Sequence, residues 1–382
     1  MGSDQRIHAN ITQQMKRILF ILSAVISIQA VVSQVTSGPG KPHVDQRVEL
    51  LSIVFRLAGN SEYNSQRFKL YTDRIDHHFS AFKSHELIKF IQKLRKKNGV
   101  SFDAVMEMAI QIDDPPAFAP LVPFSKELPD ERWGKANAVR FIGLLQKFYT
   151  NAGCAAFFRE NEGLYSEACR RFSVVYDALD VSWYTKFYGK EPNEEFIIVN
   201  GLGNGGGNYG PSLQCSDGKR KVYAIMGTWT TDSLGMATFA VKDYFPTLLH
   251  EFNHSFVNYL VDLYKNDLES SGEKLFMAVK PEMNRQAYID WETMFKESLV
   301  RAAVIKYMKD HRFDPRDIDR EKAMQLKRGF LWIAELTEEL ENYDKQRGKY
   351  PTLESYMPAI VTAFKTYAGE IQTLLKAARP EE

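Results

Sequence analysis

The sequence predicts an α+β protein that is predominantly helical, with a small β-sheet packed on one helix and helical lobes at both ends. Apolar residues recur at helical spacing through most of the chain. Only the stretch between Phe196 and Trp229 has short runs of β-branched and aromatic residues separated by glycines. The chain has 382 residues, of which 44% are hydrophobic, so it can bury a sizeable core in two or three domains or lobes.

The charges of the chain nearly cancel. There are 49 Lys and Arg residues against 48 Asp and Glu residues, which gives a formal net charge of +1. General nucleic-acid binding depends on clustered cations that neutralise phosphates. We therefore expect no nucleic-acid partner.

Residues 1–33 have the pattern of a secretory signal peptide. Two cations after Met15 precede an apolar run that is too short for a membrane-spanning helix, and small residues follow it. We expect translation to start at Met15 and cleavage to occur between Ser33 and Gln34. The mature protein is then exported to the periplasm or outside the cell, with no stable membrane span. An uncleaved N-terminal anchor is the alternative.

Three regions follow the signal: a helical N-terminal lobe over 34–150, a core over 151–310 and a C-terminal helical lobe over 311–382. The predicted helices of the N-terminal lobe are 48–57, 86–94, 102–112 and 137–148. The chain has 3 Cys residues, too few for a disulfide scaffold, so we expect no structural dependence on disulfides.

Residues 196–199 and 222–226 are predicted to be two strands of the small sheet. The loop 201–206 between them matches G-x-G-x-x-G, a pattern typical of dinucleotide binding. The residues after this loop do not open a helix, and no acidic residue ends a second strand at the expected distance. We therefore predict a mobile surface loop or a substrate flap, without a dinucleotide cofactor.

The strongest chemical signal is an H-E-x-x-H sequence formed by His250, Glu251 and His254. Pro246 suits a first helical turn, and an apolar stripe from Leu249 to Leu263 predicts a helix packed on the core. Because the two histidines are one turn apart on one face, both imidazoles can reach one metal ion. Glu251 then lies beside that ion as a general base. The alternative is a pair of structural histidines on a helix.

A third metal ligand must come from elsewhere in the chain. Val257 and Leu260 stand where metzincins have Gly and His, which excludes that class. The remaining candidates are downstream carboxylates: Glu269, Glu273, Glu282, Glu292 and Glu297. Glu269 and Glu273 are predicted in a polar turn, and Glu282 is expected to be solvated.

Glu297 is the favoured third ligand. It lies on a helical stripe with Met294, Val300 and Val304, and a charge on an apolar face needs a partner. The alternative for Glu297 is an i,i+4 salt bridge with Arg301. Glu292 is the reserve ligand.

The H-E-x-x-H helix, with Glu297-Ser298-Leu299-Val300-Arg301-Ala302 downstream, resembles the gluzincin class of zinc metallopeptidases. Together with the opening Glu49-Leu50-Leu51-Ser52-Ile53-Val54-Phe55-Arg56-Leu57, it also resembles an exported bacterial family catalogued as a domain of unknown function. The resemblance implies a peptidase-like site with two His and one Glu ligand, and a substrate lying along an edge strand. Some gluzincins have an acidic residue where this chain has Arg301.

Two further features of such a site stay open. Tyr288, Arg285 and Arg301 are candidate oxyanion donors, and none is favoured. The strand 222–226 is either an edge strand that pairs with an extended peptide or an interior strand.

The sequence therefore predicts an exported metallopeptidase that hydrolyses peptide or protein substrates. His250, His254 and Glu297 bind Zn²⁺, and Glu251 acts first as general base and then as general acid. The alternative is a non-catalytic exported binding protein with a structural or vestigial metal site.

Overall fold

The structure, a computed structural model, describes residues 39–191 and 194–377. Within these ranges the chain is mainly helical and has one three-stranded sheet, which confirms the α+β class. The predicted signal peptide lies outside the described residues. None of the helices in the described ranges has the length and apolarity that a membrane crossing requires.

Helices precede and follow the sheet. Before it come α1 (Gln46–Leu57), α2 (Lys69–Phe79), α3 (Glu86–Asn98), α4 (Asp103–Ile110), α5 (Lys135–Asn151), α6 (Cys154–Tyr176) and α7 (Val181–Tyr188). After it come α8 (Val241–Leu263), α9 (Lys265–Arg285), α10 (Trp291–Asp310), α11 (Pro315–Lys327), α12 (Ile333–Lys345) and α13 (Leu353–Ala377). The four helices predicted in the N-terminal lobe are present as α1, α3, α4 and α5. The lobe boundaries at residues 150 and 310 stay predictions, and the three cysteines are free.

The sheet consists of β1 (Glu194–Gly201), β2 (Ser212–Gln214) and β3 (Arg220–Gly227) in the order β1-β3-β2. β1 is parallel to β3, and β2 is antiparallel to it on the other side. The strand predicted at 222–226 is therefore interior, and its use as an edge strand is wrong. The edge strands are β1 and β2. A short backbone bridge from His43 covers part of β1, and a backbone pair between Tyr209 and Ile225 extends the β2 side toward the glycine-rich loop.

Helix α8 packs against both β3 and α10 at the centre of the molecule. Its predicted stripe is buried at Leu249, Phe252, Phe256 and Leu260, while Leu263 is 61% exposed, so the stripe ends one turn early. The ring of Phe196 on β1 lies 4.6 Å from the ring of Phe252. The sheet thereby sets the position of the helix that carries the H-E-x-x-H sequence.

Pro246 lies inside α8 and not in its first turn, so this detail of the prediction is wrong. A proline has no N–H to donate to the carbonyl four residues earlier, here that of Lys242. Nη2 of Arg320, in α11, donates to that carbonyl at 2.9 Å. Because Arg320 donates to the Lys242 carbonyl in place of the missing proline N–H, the helix can begin at Val241 and continue through Pro246.

Residues 269–273 lie in α9, and the predicted polar turn there is wrong. Gly272 lets α9 approach α10 closely, since a Cβ atom at this position would lie 2.4 Å from Cε3 of Trp291. The small polar residues of this segment are thus part of a helix contact and not of a solvated loop.

The glycine-rich loop after β1 is buried at residues 201–204, which contradicts the predicted surface loop. Glu49, a fully buried residue of α1, accepts the N–H of Leu202 at 2.6 Å and that of Gly203 at 3.0 Å. A Cβ atom on Gly203 would lie 2.8 Å from Oε2 of Glu49. A single carboxyl group therefore fixes the start of this loop.

We predict that Gly272→Ala lowers the free energy of unfolding by about 1–3 kcal/mol, because the added methyl group overlaps the Trp291 ring. Gly163, in the middle of α6, serves as the control, since a Cβ atom there would have no neighbour within 4 Å. Gly163→Ala should raise the free energy of unfolding by about 1 kcal/mol or less, since alanine favours helix. Urea unfolding of both variants measures this, and equal effects would contradict the close packing.

Burial raises the pKa of Glu49 from 4.5 to about 7, although its two backbone N–H donors lower it. An acid with a raised pKa in the folded state stabilises the fold below its unfolded pKa and loses that contribution as the pH rises through the folded pKa. The free energy of unfolding of the wild type, relative to that of Glu49→Gln, should therefore decrease between pH 4.5 and pH 7. The expected decrease is about 3 kcal/mol.

Urea unfolding of both proteins across this pH range measures the difference, with the exposed Glu162→Gln as control. A difference that stays constant, or that grows with pH, would contradict the assignment.

Candidate metal centre

Helices α8 and α10 bring the three predicted ligands together. His250 and His254 lie one turn apart on α8, and Glu297 faces them from α10, with one ligand atom from each residue within 4.8 Å of the others. The Nε2 atoms of the two histidines are 3.2 Å apart. Oε2 of Glu297 lies 3.5 Å from Nε2 of His250, and Oε1 lies 3.5 Å from Nε2 of His254.

These distances fit a tetrahedral metal ion. Ligands that bind zinc at about 2.0–2.1 Å at tetrahedral angles are roughly 3.3 Å from one another. The three separations of 3.2, 3.5 and 3.5 Å are close to that value. Two imidazoles with one carboxylate suit Zn²⁺ better than Mg²⁺ or Ca²⁺, which prefer oxygen ligands throughout. The residues present therefore fit zinc and leave a fourth position for water or substrate.

The electrostatics of the three side chains suit a cation. Burial lowers the pKa of His250 well below its ordinary value, although Glu297 opposes this shift, so the imidazole is neutral. Burial alone would raise the pKa of Glu297, but Arg301 and the two histidines outweigh it and bring the pKa to about 2. A neutral imidazole and an ionised carboxylate are the forms that bind metals.

Hydrogen bonds orient the ligand helix. Nδ1 of His254 lies 3.1 Å from Oδ1 of Asn258, and because an amide oxygen can only accept, Nδ1 is the donor. The lone pair of His254 is then on Nε2, which faces His250 and Glu297. On the buried side of α8, Asn253 accepts from Tyr188 at 2.9 Å and donates to the carbonyl of Val300 at 3.3 Å. This bond holds α8 against the helix that carries Glu297.

The geometry of Glu297 is compatible with both alternatives that the sequence left open, the third ligand and the ion pair with Arg301. It faces the histidines, and its Oε2 also accepts from Nη2 of Arg301 at 2.6 Å. Arg301 in turn donates to Tyr288 at 3.0 Å and to Gln325 at 3.0 Å. Arg301, at the position where some gluzincins have an acidic residue, therefore pairs with the Glu297 carboxylate.

The other candidates for the site lie elsewhere. Glu292 pairs with Lys265 at 2.6 Å, Glu282 pairs with Arg285 at 2.8 Å, and Glu269 and Glu273 are exposed. Of the three candidate oxyanion donors, Arg301 lines the cavity at the site, Tyr288 contacts Arg301, and Arg285 is occupied by Glu282.

A cavity of about 530 Å³ opens on His250 and Glu251. The side chain of Glu251 makes no hydrogen bond or ion pair with any residue that the structure describes. Burial is the main cause that raises the pKa of Glu251 to about 7; Glu297 also raises it, and His254 and Arg301 lower it. Gly210 lies against this carboxylate, since a Cβ atom there would be 2.1 Å from Oε2 of Glu251. The arrangement leaves a basic oxygen facing the cavity beside the metal-binding atoms.

Several residues around the site were not found from the sequence. Asn258 follows His254 by four residues, and on a helix this spacing predicts that the two side chains are in contact. Glu49 stands in the apolar run of α1, and the argument that identified Glu297, a charge that needs a partner, applies to it equally. Gly210, which lies against Glu251, and Arg328, which lines the same cavity as Glu251, carried no local signal, because the fold brings them to the site from distant segments.

Comparison with known proteins gives one match. A family model described as a domain of unknown function (DUF4932) matches residues 42–363. Neither the curated proteins nor the solved structures contain a match to the chain. The matched region includes α1, the glycine-rich loop, the sheet and all three residues of the candidate metal centre. The chain belongs to the DUF4932 family.

Proposed function

We propose that this protein is an exported zinc-dependent metallopeptidase with a gluzincin-like arrangement of sheet and metal-site helix. The observation that carries the proposal is the set of separations near 3.3 Å among His250, His254 and Glu297 beside a carboxylate, Glu251, that faces an open cavity. The predicted signal at residues 1–33 is the basis for export.

Zinc held by these three residues would supply a Lewis acid for a carbonyl oxygen and would make a nearby water more acidic. Glu251 accepts the proton of the attacking water and then donates it to the leaving amine. Its lack of a partner among the described residues and its raised pKa of about 7 suit both steps. Glu297 and Arg301 remain in place throughout and keep the imidazoles oriented.

The substrate is proposed to lie along the edge that precedes β2. Tyr209 directs its N–H and C=O to Ile225 on β3, so the next residue, Gly210, directs its own backbone groups away from the sheet. An extended peptide that pairs with these groups would pass directly beside Glu251, because Gly210 contacts that carboxylate. This geometry supports a peptide bond as the target.

We predict that the purified wild-type protein holds one zinc ion per chain and that His254→Ala does not. Asn258→Ala, which leaves the three ligands but removes the acceptor of Nδ1, should weaken zinc affinity about 10- to 100-fold. Competition with a chelator, read by elemental analysis, measures both effects. The exposed His77→Ala is the control and should bind zinc as wild type does. Equal zinc retention in all four proteins would contradict the assigned ligands.

We predict that Glu251→Gln lowers kcat for peptide hydrolysis about 10²- to 10⁴-fold, because the amide cannot accept the proton of water. Its zinc content should be unchanged, since Glu251 is not a ligand. An unbiased peptide library analysed by mass spectrometry provides the assay, and the exposed Glu269→Gln provides the control. Stoichiometric zinc in a wild-type protein that cleaves nothing would reject the peptidase and favour a binding protein with a structural metal site.

A further inference from the structure

The cavity at the candidate metal centre is lined by several cationic side chains. Four of its lining residues are Lys242, Arg301, Arg320 and Arg328, and three are the acids Asp243, Glu251 and Glu321. Arg320 lies 3.7 Å from Asp243 and 3.5 Å from Asp317, and Arg301 is bound to Glu297. Two of the four cations therefore have carboxylate partners.

Arg328 has none. Its side chain makes no ion pair and no hydrogen bond with any residue in the described ranges, although it lines the cavity with His250 and Glu251. Glu321 is the cavity-lining acid nearest to Arg328 in sequence. Its Oε1 accepts a hydrogen bond from Nε2 of Gln325 at 2.5 Å. Arg328 is thus an exposed cation in the lining of the cavity that forms no ion pair with any described residue.

Arg301 contributes a second guanidinium group to the lining of the same cavity. Arg301 is only 6% exposed, and its Nη1 and Nη2 atoms donate to Gln325, Tyr288 and Glu297. Its Nε is buried without a hydrogen-bond partner and is closed to a ligand in the cavity. Arg301 therefore offers an anion its positive charge and no free donor.

Both guanidinium groups belong to the lining of the same cavity. Partial burial and the positive charge of Arg301 lower the pKa of Arg328, while the negative charges of Glu321 and Glu297 raise it. Two cations beside one cavity attract an anion more strongly than either does alone. Guanidinium groups match carboxylates in particular, because their donors fit the two oxygens.

We propose that Arg328, with the positive charge of Arg301 in the lining of the same cavity, binds a carboxylate of the substrate, so that the preferred substrates are peptides with an anionic group near the scissile bond. The identification of the bound peptide as a substrate rests on the proposed function. The anion site itself is inferred from the two guanidinium groups alone. The carboxylate comes either from the C-terminus of the peptide or from an Asp or Glu side chain.

The test uses the zinc-loaded Glu251→Gln protein, which retains peptides without cleaving them. Three pools of N-acetylated octapeptides are compared: one with a free C-terminus and no acidic residue, one amidated without acidic residues, and one amidated with a single central Glu. Retention is measured by equilibrium dialysis and mass spectrometry. At least one carboxylate pool should be retained about 10- to 100-fold more than the carboxylate-free pool, and which one it is identifies the source of the carboxylate.

Two substitutions, each added to Glu251→Gln, distinguish binding by Arg328 from a general effect of positive charge. Arg328→Gln should bring the retention of the carboxylate pools down to that of the carboxylate-free pool. Lys327→Gln removes an equal charge from the exposed neighbouring residue, which does not line this cavity, and should keep the preference. Equal retention of the three pools, no retention of any, or a preference that survives Arg328→Gln would overturn the inference.

Hydrolysis of the same pools by the wild-type protein tests the peptidase separately. Cleavage of all pools at equal rates would overturn the carboxylate preference and leave the peptidase intact. Retention that depends on Arg328 without any cleavage would support the anion site and reject the peptidase.

Discussion

The structure depends on how the buried carboxylate of Glu297 is compensated. An ionised carboxylate that leaves water without a partner is strongly destabilising, so its neighbours must supply positive charge or hydrogen bonds. Arg301 supplies a cation at 2.6 Å on one side, and the two imidazoles face the other at 3.5 Å. Imidazole nitrogens and a carboxylate oxygen at these separations are a donor set that suits a divalent ion. Under the proposed function, such an ion would add the positive charge that Glu297 needs on the side of the histidines.

A second buried acid, Glu49 in the N-terminal helix α1, positions a loop that reaches the candidate metal centre. It holds the N–H groups of Leu202 and Gly203, and the loop that begins there ends at Gly210, which lies against Glu251. The N-terminal helix α1 therefore does more than fill the core. It fixes the start of the loop that places Gly210 against the Glu251 carboxylate, and both segments lie within the residues that the family model matches.

The proximity of His250, His254 and Glu297 could be predicted from the sequence because its signals are local. H-E-x-x-H needs only the geometry of one helical turn, and Glu297 was identified because a charge on an apolar stripe requires a partner. The errors arose where contacts come from far along the chain. Pro246 is carried inside α8 because Arg320 replaces its missing donor, and the loop at 201–204 is buried because Glu49 binds it. The edge strand β2 was missed because three residues give no period to recognise.

X-ray absorption at the zinc edge of the metal-loaded wild-type protein tests the central claim most directly. The account predicts two imidazole nitrogens and one or two oxygens at about 2.0–2.1 Å, with the imidazole signal reduced in His254→Ala. A sulfur ligand at about 2.3 Å, or a shell of oxygens alone, would place the metal elsewhere and contradict the account.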